Sequence, residues 1–391
     1  MANTILTPDW ITREAVAILA EKLNFVTNIF NGYESEFTKD YKVGETVAIR
    51  KPAQYKGRSG AALAVEDHVE QSVALVVDQL KGVDVEFTDV EMTLDVNDFS
   101  QNVIEPAMAT LADLVESTVL ETAGGFSIVN GSGGSGEAVY KDYLKAQAFL
   151  DNLTTPRDSM RCILVDTLMQ VDVIDELKGL FQSADEISKQ YKEGKLGKTA
   201  GATWYQSSRI PLTATVTTDV LTIDAINGNL ITVSGGAAAE VIPAGAQFSL
   251  GVDLVHPQNK KTFAGQTAHI VVQSEVTLDG AGAGVIETAS PIVSDNTDAR
   301  QNVASAPTAL TIIAEGKKKS LAFHKNFMAF VSPNLTLPKG TDMAERKSYE
   351  GLSLRCIRDY DINTNSYPTR FDILFGSKVI RPEYACTVVQ G

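Results

Sequence analysis

The chain has 391 residues, 44% of them apolar and 21% charged, the balance of a folded globular protein too long for one simple core. Its net charge of −15 argues against sequence-nonspecific DNA binding, which rests on Lys and Arg neutralising phosphates. No apolar run approaches the roughly 20 residues of a membrane helix, and the first residues, MANTILTPDW, lack the order of a signal peptide, so synthesis and retention in the cytosol are expected. Cys162, Cys356 and Cys386 are isolated in sequence and fit neither a disulfide framework nor a structural zinc site.

A helix is predicted within residues 4–31, where Thr7 can cap, Pro8 suits the first turn, and Ile11, Ala15, Ile18, Leu19 and Leu23 form one apolar face. Asn31-Gly32 breaks it. A hairpin follows: Val43, Val47 and Ile49 lead up to Lys51-Pro52, and Ser72–Asp78 returns with Val73, Leu75 and Val77 alternating. The stretch between them is too long for a tight turn and is rich in Gly, Ala and charge. Two strands alone are marginal in water, so this arm is expected to lie on something else, such as another subunit.

Gly82–Leu94 alternates as a strand, with Val83, Val85 and Phe87 opposite Asp84, Glu86 and Thr88. Asp98–Ala123 then places Ile104, Met108, Leu111, Val115 and Val119 at helical spacing, and its charges, Glu105, Asp113, Glu116 and Glu121, are all acidic. Pro106 requires that the helix either begin near Glu105 or kink there, and Gly124-Gly125 ends it. Nothing basic lies between Lys81 and Lys141, while acids run from Asp84 to Glu137. Such a segment is either a solvated acidic surface or one that repels nucleic acid.

Beyond it, Phe126–Val129 reads as a strand, NGSGGSG as a loop with the composition of a flexible linker, and Glu137–Leu153 as a second amphipathic helix. Arg161–Val165 reads as a buried strand, and a helical stretch runs through Met169, Val173, Ile174, Leu177 and Leu180. From Pro211 to Pro307 the composition shifts to Thr, Val, Ala, Gly and Asn in short alternating runs: Val220–Ile223, Leu230–Val233, Gln247–Leu250, His269–Val272 and Val285–Thr288. Asn227-Gly228 is a hairpin signal. The pattern is that of a small all-β barrel or sandwich inserted into a loop of an α+β surround. Ala329–Val331 and the tail from Gly351 return to that surround as strands.

Motifs for chemistry fail on inspection. Gly131, Gly133 and Gly136 satisfy G-x-G-x-x-G, but the acid that should close a second strand, Asp151, falls near a helix end. Gly197-Lys198-Thr199 resembles the end of a phosphate-binding loop, yet Lys192 stands where the loop needs its first glycine. His68, His256, His269 and His324 lack metal-ligand spacing, and no G-x-S-x-G elbow is present. Asp359 and Asp361 bracket Tyr360 among Arg and Asn neighbours, a setting for ion pairing or a turn rather than acid–base work. No catalytic, cofactor or metal residue is assigned, and no cofactor is expected.

The tail RDYDINTNSYPTRFDILFGSKVIRPE, Arg358–Glu383, resembles the C-terminal signature of tailed-phage major capsid proteins of the Hong Kong 97 fold, in the branch of the phage P-twenty-two coat protein. Leu177–Pro211 resembles the axial segment leading into that branch's insertion domain, Gly245–Val272 the insertion domain itself, and Leu321–Leu335 the strand on which the chain returns. The resemblance implies an α+β, Hong Kong 97-like fold with a barrel-like all-β insertion. It divides the chain into an N-terminal arm (1–35), an extended loop (36–81), a peripheral domain (82–136 and 346–391) with spine helix 98–123, an axial domain (137–211 and 308–345) and an insertion (212–307).

It further implies a non-enzymatic coat protein whose partners are its own copies in pentamers and hexamers, a scaffolding protein, a portal and loosely held packaged DNA, with no membrane. Its location is then the virion capsid after synthesis in the host cytoplasm. Assembly contacts are expected at Lys51, Lys56, Arg58, Glu66, Asp67, Glu116, Glu121, Arg358, Asp361 and Arg370. Lysine–asparagine cross-linking, known elsewhere in the fold, is not carried over to Lys56, and the charged capsomer-bridging loop of relatives is short or absent here. Two alternatives stand beside this one: an encapsulin-like compartment and a nucleotide-binding enzyme built on Gly131–Gly136.

Overall fold

The computed structural model describes residues 8–32, 46–58, 60–63, 65–88, 103–134, 136–177, 197–218, 220–313, 315–362, 364 and 366–391. The expected helical turn at 98–102, the strand end at 89–94 and the helical residues 178–180 lie outside the described residues. The chain opens with α1 (Pro8–Lys22), β1 (Thr46–Lys51), β2 (Gln71–Val76), β3 (Gln79–Thr88) and α2 (Glu105–Glu121). It continues through β4 (Ser127–Asn130), α3 (Tyr140–Asn152), β5 (Arg161–Asp166), α4 (Thr167–Leu177), β6 (Lys198–Thr199) and β7 (Ala202–Ser207). The β-rich middle holds β8 (Val220–Asn227), β9 (Leu230–Ser234), β10 (Val241–Ile242), β11 (Gln247–Val255), β12 (Thr262–Val271), β13 (Val276–Thr277), β14 (Gly284–Glu287) and β15 (Ala309–Ile312). The chain ends on β16 (Lys319–His324), β17 (Met328–Val331), β18 (Met343–Tyr349), β19 (Leu352–Arg358), β20 (Ser366–Val379) and β21 (Ala385–Val389).

Two compact units emerge. The first comprises the described residues of Met1–Ala48, Ala74–Val119 and Ala329–Lys378. Its five-stranded sheet runs β17-β20-β19-β18, with β3 also pairing along β20 from Ser366↔Thr88 to Phe375↔Gln79. Alternation fixes the faces: Phe371 and Ile373 of β20 are buried, while Arg370 points outward. α1 packs on β18 and β19 and buries Ile11, Ala15, Leu19 and Leu23, the stripe its 3.6-residue period predicts. α2 buries Met108, Leu111, Val115 and Val119. The α-helix proper begins at Glu105, directly after two π-helical residues, Val103 and Ile104, so Pro106 sits in its first turn.

The second unit comprises the described residues of Ile49–Val73, Leu120–Met328 and Val379–Gly391. Its twelve-stranded sheet runs β14-β9-β8-β15-β11-β12-β4-β21-β16-β5-β7-β6. The first six strands are antiparallel neighbours, and the bridge Val272↔Thr288 brings the end of β12 beside the end of β14. Leu221, Ile231, Val233, Phe248, Ile270, Ile286 and Leu310 fill the space these strands enclose. At the Asn227-Gly228 signal a two-residue connection joins β8 to β9, with Asn227 paired to Leu230. Against the other half of the sheet, Tyr143, Ala146 and Leu150 of α3 and Met169 and Val173 of α4 share a core with Ile163, Val165, Ala322 and Val388. Close approach explains two glycines. A Cβ on Gly125 would lie 1.9 Å from the Ala385 carbonyl oxygen, and one on Gly245 would lie 2.1 Å from that of Glu121.

The units group residues differently from the five-part division. Val379–Gly391, expected beside the spine helix, belongs to the second unit, because β21 pairs in parallel with β4 and antiparallel with β16.

Candidate assembly surfaces

The hairpin of β1 and β2 is a two-stranded sheet that alternation makes one-sided: Ile49, Val73 and Leu75 are buried. Beyond the strands the pattern reverses. Leu63 is 83% and Val65 82% exposed, and Tyr55 and Val69 also face outward. Polar contacts shape the tip. The Lys56 amide donates to Glu66 Oε2 at 2.6 Å, Tyr55 Oη and His68 Nδ1 are 2.6 Å apart, and the Arg58 guanidinium donates to the carbonyls of Gly60 and, at 3.1 Å, Ala62. Asp67 is exposed.

Behind the hairpin base lies a cavity of about 480 Å³, lined among others by Lys51, Arg300, Arg381, Glu383 and Tyr384. Lys51 Nζ donates to Ser290 Oγ at 2.8 Å. Burial holds the Lys51 ammonium below its usual range, with Glu383 opposing that shift. Burial likewise lifts the Glu383 carboxyl above its usual range, against the pull of Lys51 and Arg381. Arg381 donates to Tyr384 Oη at 2.9 Å and lies over its ring.

The remaining candidates sit in the body. Glu116, expected on an inner or inter-subunit surface, is instead fully buried. Its carboxylate accepts the amides of Phe25 at 3.0 Å and Asn24 at 3.4 Å, at the start of the 3-10 turn Val26–Asn28. Those amides have no helical acceptor, and a buried anion supplies one, so helical spacing that pointed to an acidic outer face misplaced this residue. Glu121 is exposed. Arg358 donates to Asp342 Oδ2 at 3.0 Å and stacks over Tyr367. The Asp361 amide donates to the Ser366 carbonyl at 2.9 Å, closing the approach to β20. Arg370 grips Asp84 with two bonds of 2.7 and 3.0 Å across β20 and β3. The structure thus gathers Lys51, Lys56, Arg58, Glu66 and Asp67 on the hairpin and Arg358, Asp361 and Arg370 on the first unit's sheet.

The glycine loop is no flexible linker. Gly131 donates to Val389, Gly133 to Glu137 and Gly391 to Gly136, at 2.7–2.9 Å. Asp142, wholly buried in the first turn of α3, accepts the Ser132 amide at 2.8 Å, the Ser132 hydroxyl at 2.7 Å and the Lys145 ammonium at 2.8 Å. Burial alone would raise that carboxyl, but these bonds outweigh it and hold it below its usual range. The amides a phosphate would need are committed to the protein. Lys198 and Thr199 form β6 beside β7, with Thr199 O accepting the Trp204 indole, so they build no phosphate loop either.

Sequence reasoning missed two buried bases. Lys319 opens β16 and is 4% exposed, and desolvation drives it down to about 8. His269 is fully enclosed in β12, with neither ring nitrogen bonded. Their only sequence signal is a polar residue among apolar ones, in β16, buried along its whole length, and in the buried last four residues of β12. Among the described residues no helix is long and apolar enough to cross a membrane, and no group of three or more His, Cys, Asp or Glu could hold a metal.

Residues 228–391 match the family described as P22 coat protein, gene protein 5. No curated protein matches the sequence. Solved structures that align with the chain include that of Mycobacterium phage Che8, 13% identical with a TM-score of 0.48, covering 95% of this chain and 90% of that one. The capsid of the cyanophage P-SCSP1u aligns at 11% identity and a TM-score of 0.45, over 90% of this chain and 84% of that one. A virus-like particle from Pyrococcus furiosus aligns at 8% identity and a TM-score of 0.41, over 97% and 98%. The family match runs from the β8–β9 turn through β9–β21 to the C-terminus. Over residues 228–391 the chain is similar to the phage coat proteins, and its helices and many strands make it α+β.

Proposed function

We propose that the chain is a major capsid protein of the Hong Kong 97-like class, located in the virion capsid, whose copies close into an icosahedral shell around the double-stranded DNA genome of a tailed phage, without catalytic chemistry of its own. The coat-protein match favours this over an encapsulin-like compartment, and the committed amides of the glycine loop argue against nucleotide binding. One observation carries the assembly mode. The hairpin buries one row of apolar residues yet leaves Leu63 and Val65 almost fully exposed at its far end. Burying each such side chain on a neighbour is worth about 1.5–3 kcal/mol, and many modest contacts add up when a shell closes.

In this reading residues 36–81 reach across the neighbouring subunit, residues 1–35 form an arm, and 212–307 are an inserted domain on the outer face. Scaffolding protein, portal and loosely held DNA are its partners, and synthesis takes place in the host cytoplasm. The acid-rich run, with no Lys or Arg between Lys81 and Lys141, suits an inner surface that does not bind DNA tightly. Deletion of Gln54–Ala64 is expected to yield soluble, folded subunits that form no closed shells in negative-stain micrographs. Regular shells from that variant would sink the assignment.

A further inference from the structure

The hairpin is seated on its own chain. Besides the Lys51–Ser290 bond, Lys56 Nζ donates to the Asn296 carbonyl. The receiving segment, residues 290–302 between β14 and β15, is stiffened from within. Asn302 Oδ1 accepts the Val293 amide at 2.8 Å, and Asn302 Nδ2 donates to the Pro291 carbonyl at 2.8 Å. Asp295 accepts Thr297 through both its amide and its hydroxyl, Arg300 clasps Asp298, and Lys260 donates to the carbonyls of Ala299 and Gln301.

Two carboxylates, Asp295 and Asp298, stand where Lys56 arrives, together with the Lys260 ammonium. Hydrogen bonds from Thr297 hold the Asp295 carboxyl low, and the nearby Lys56 charge adds to this. Asp298 is held low chiefly by Arg300, again with Lys56 contributing. The hairpin therefore holds to its own chain through its buried row Ile49, Val73 and Leu75 at the base and through the Lys51 and Lys56 ammoniums, while Leu63 and Val65 stay in water. Polar, partly hydrated contacts of this kind are modest and can be given up for a better partner.

We infer that the segment 290–302 is a cis latch: it holds the hairpin on its own subunit through Lys51 and Lys56, and the hairpin must leave it before reaching a neighbour. The inference rests on the reading of this hairpin as the inter-subunit arm. A latch of this type keeps free subunits from associating prematurely, because the arm can reach across to a neighbour only after its contacts with its own subunit break.

The test uses the full-length subunit. Lys56→Glu removes the ammonium that meets the Asn296 carbonyl and places a carboxylate near Asp295 and Asp298, where Lys260, committed to the Ala299 and Gln301 carbonyls, offsets it only in part, so the hairpin should be released. Trypsin cleavage after Arg58 should accelerate about tenfold, the response of an exposed segment whose opening equilibrium has shifted. Shell formation, followed by light scattering, should also start sooner. Asp295→Lys added to Lys56→Glu should return both rates toward the original. Unchanged cleavage overturns the latch, and so does faster cleavage with an unaltered assembly rate. A thermal unfolding midpoint within error of the parent shows that the body of the variant is folded. If Gln54–Ala64 deletion abolishes shells while Lys56→Glu leaves cleavage unchanged, the arm reading stands and the latch fails. Regular shells from the deletion instead remove the arm reading itself.

Discussion

The spine helix and the hairpin meet their surroundings in opposite ways. In the first unit α2 turns its apolar stripe inward, and even its buried charge has a fixed counterpart, because Glu116 accepts two backbone amides that no other part of a helix could satisfy. In the hairpin the apolar residues at the far end face water, and lysine ammoniums make the contacts with the seat, one to a hydroxyl and one to a carbonyl. A buried carboxylate with dedicated donors admits one arrangement. A lysine on a carbonyl admits many, since every copy of the chain offers the same group. Under the proposed reading the body is permanent and the arm exchanges partners, as a shell with several subunit environments would require.

That contrast breaks most visibly at Glu116. Glu116→Lys leaves a buried cation facing two amide donors, a cost of about 3–5 kcal/mol against a total stability of about 5–15 kcal/mol. The variant is expected to accumulate as insoluble protein. Glu116→Gln keeps one acceptor and should lose about 1–2 kcal/mol, read as a lower urea midpoint at unchanged slope. Soluble Glu116→Lys subunits with a parental midpoint would place this residue outside the enclosed body.

The second unit gives a pH-dependent version of the same comparison. His269 is enclosed by Gly124, Phe126, Val271, Thr288 and Pro382, none of which carries a charge, and burial alone drives it down to about 3. The folded chain holds it neutral while the unfolded chain takes up a proton near pH 6.5, so its stability contribution is intact above about 6.5 and is lost progressively toward pH 3. By pH 5 the loss should reach about 2 kcal/mol. His269→Leu should remove that part of the acid slope in urea titrations at pH 7 and pH 5. An unaltered slope would mean that the ring finds a partner on protonation.

How much of this was legible in the sequence follows from how local each signal is. The faces of α1 and α2 could be read because period and burial coincide at Ile11, Ala15, Leu19, Met108, Leu111 and Val115. The insertion strands could be read from alternation and from the Asn227-Gly228 turn, since a two-residue hairpin needs positive φ at that glycine. β18 was not singled out, because MAERKSY has no apolar alternation and pairs β19 through its backbone. The parallel pairing of β21 with β4 joins residues far apart in sequence, and no local pattern announces it. The site signals failed for a related reason. Glu116 looks like any helical acid until the Asn24 and Phe25 amides are brought to it, and the glycine loop looks flexible until Asp142 binds it. The family resemblance supplied the assignment of the arm, which composition alone left open.

The smallest expected effect sharpens the comparison from the surface side. Arg370 and Asp84 form a two-bond pair across β20 and β3, but both side chains are more than half exposed. Water and salt screen such a pair, so Arg370→Ala should cost the isolated subunit less than about 1 kcal/mol, and less still in molar salt. Among the described residues the only other ion pair lost is the long 4.0 Å contact with Asp372, and the register from Ser366↔Thr88 to Phe375↔Gln79 is carried by backbone bonds and by the buried side chains between. A drop in shell yield with an unchanged unfolding midpoint would then assign Arg370 to the contact between subunits, with Asp84 serving to hold the guanidinium in position. A drop in both would return it to the body, on the same side of the comparison as Glu116.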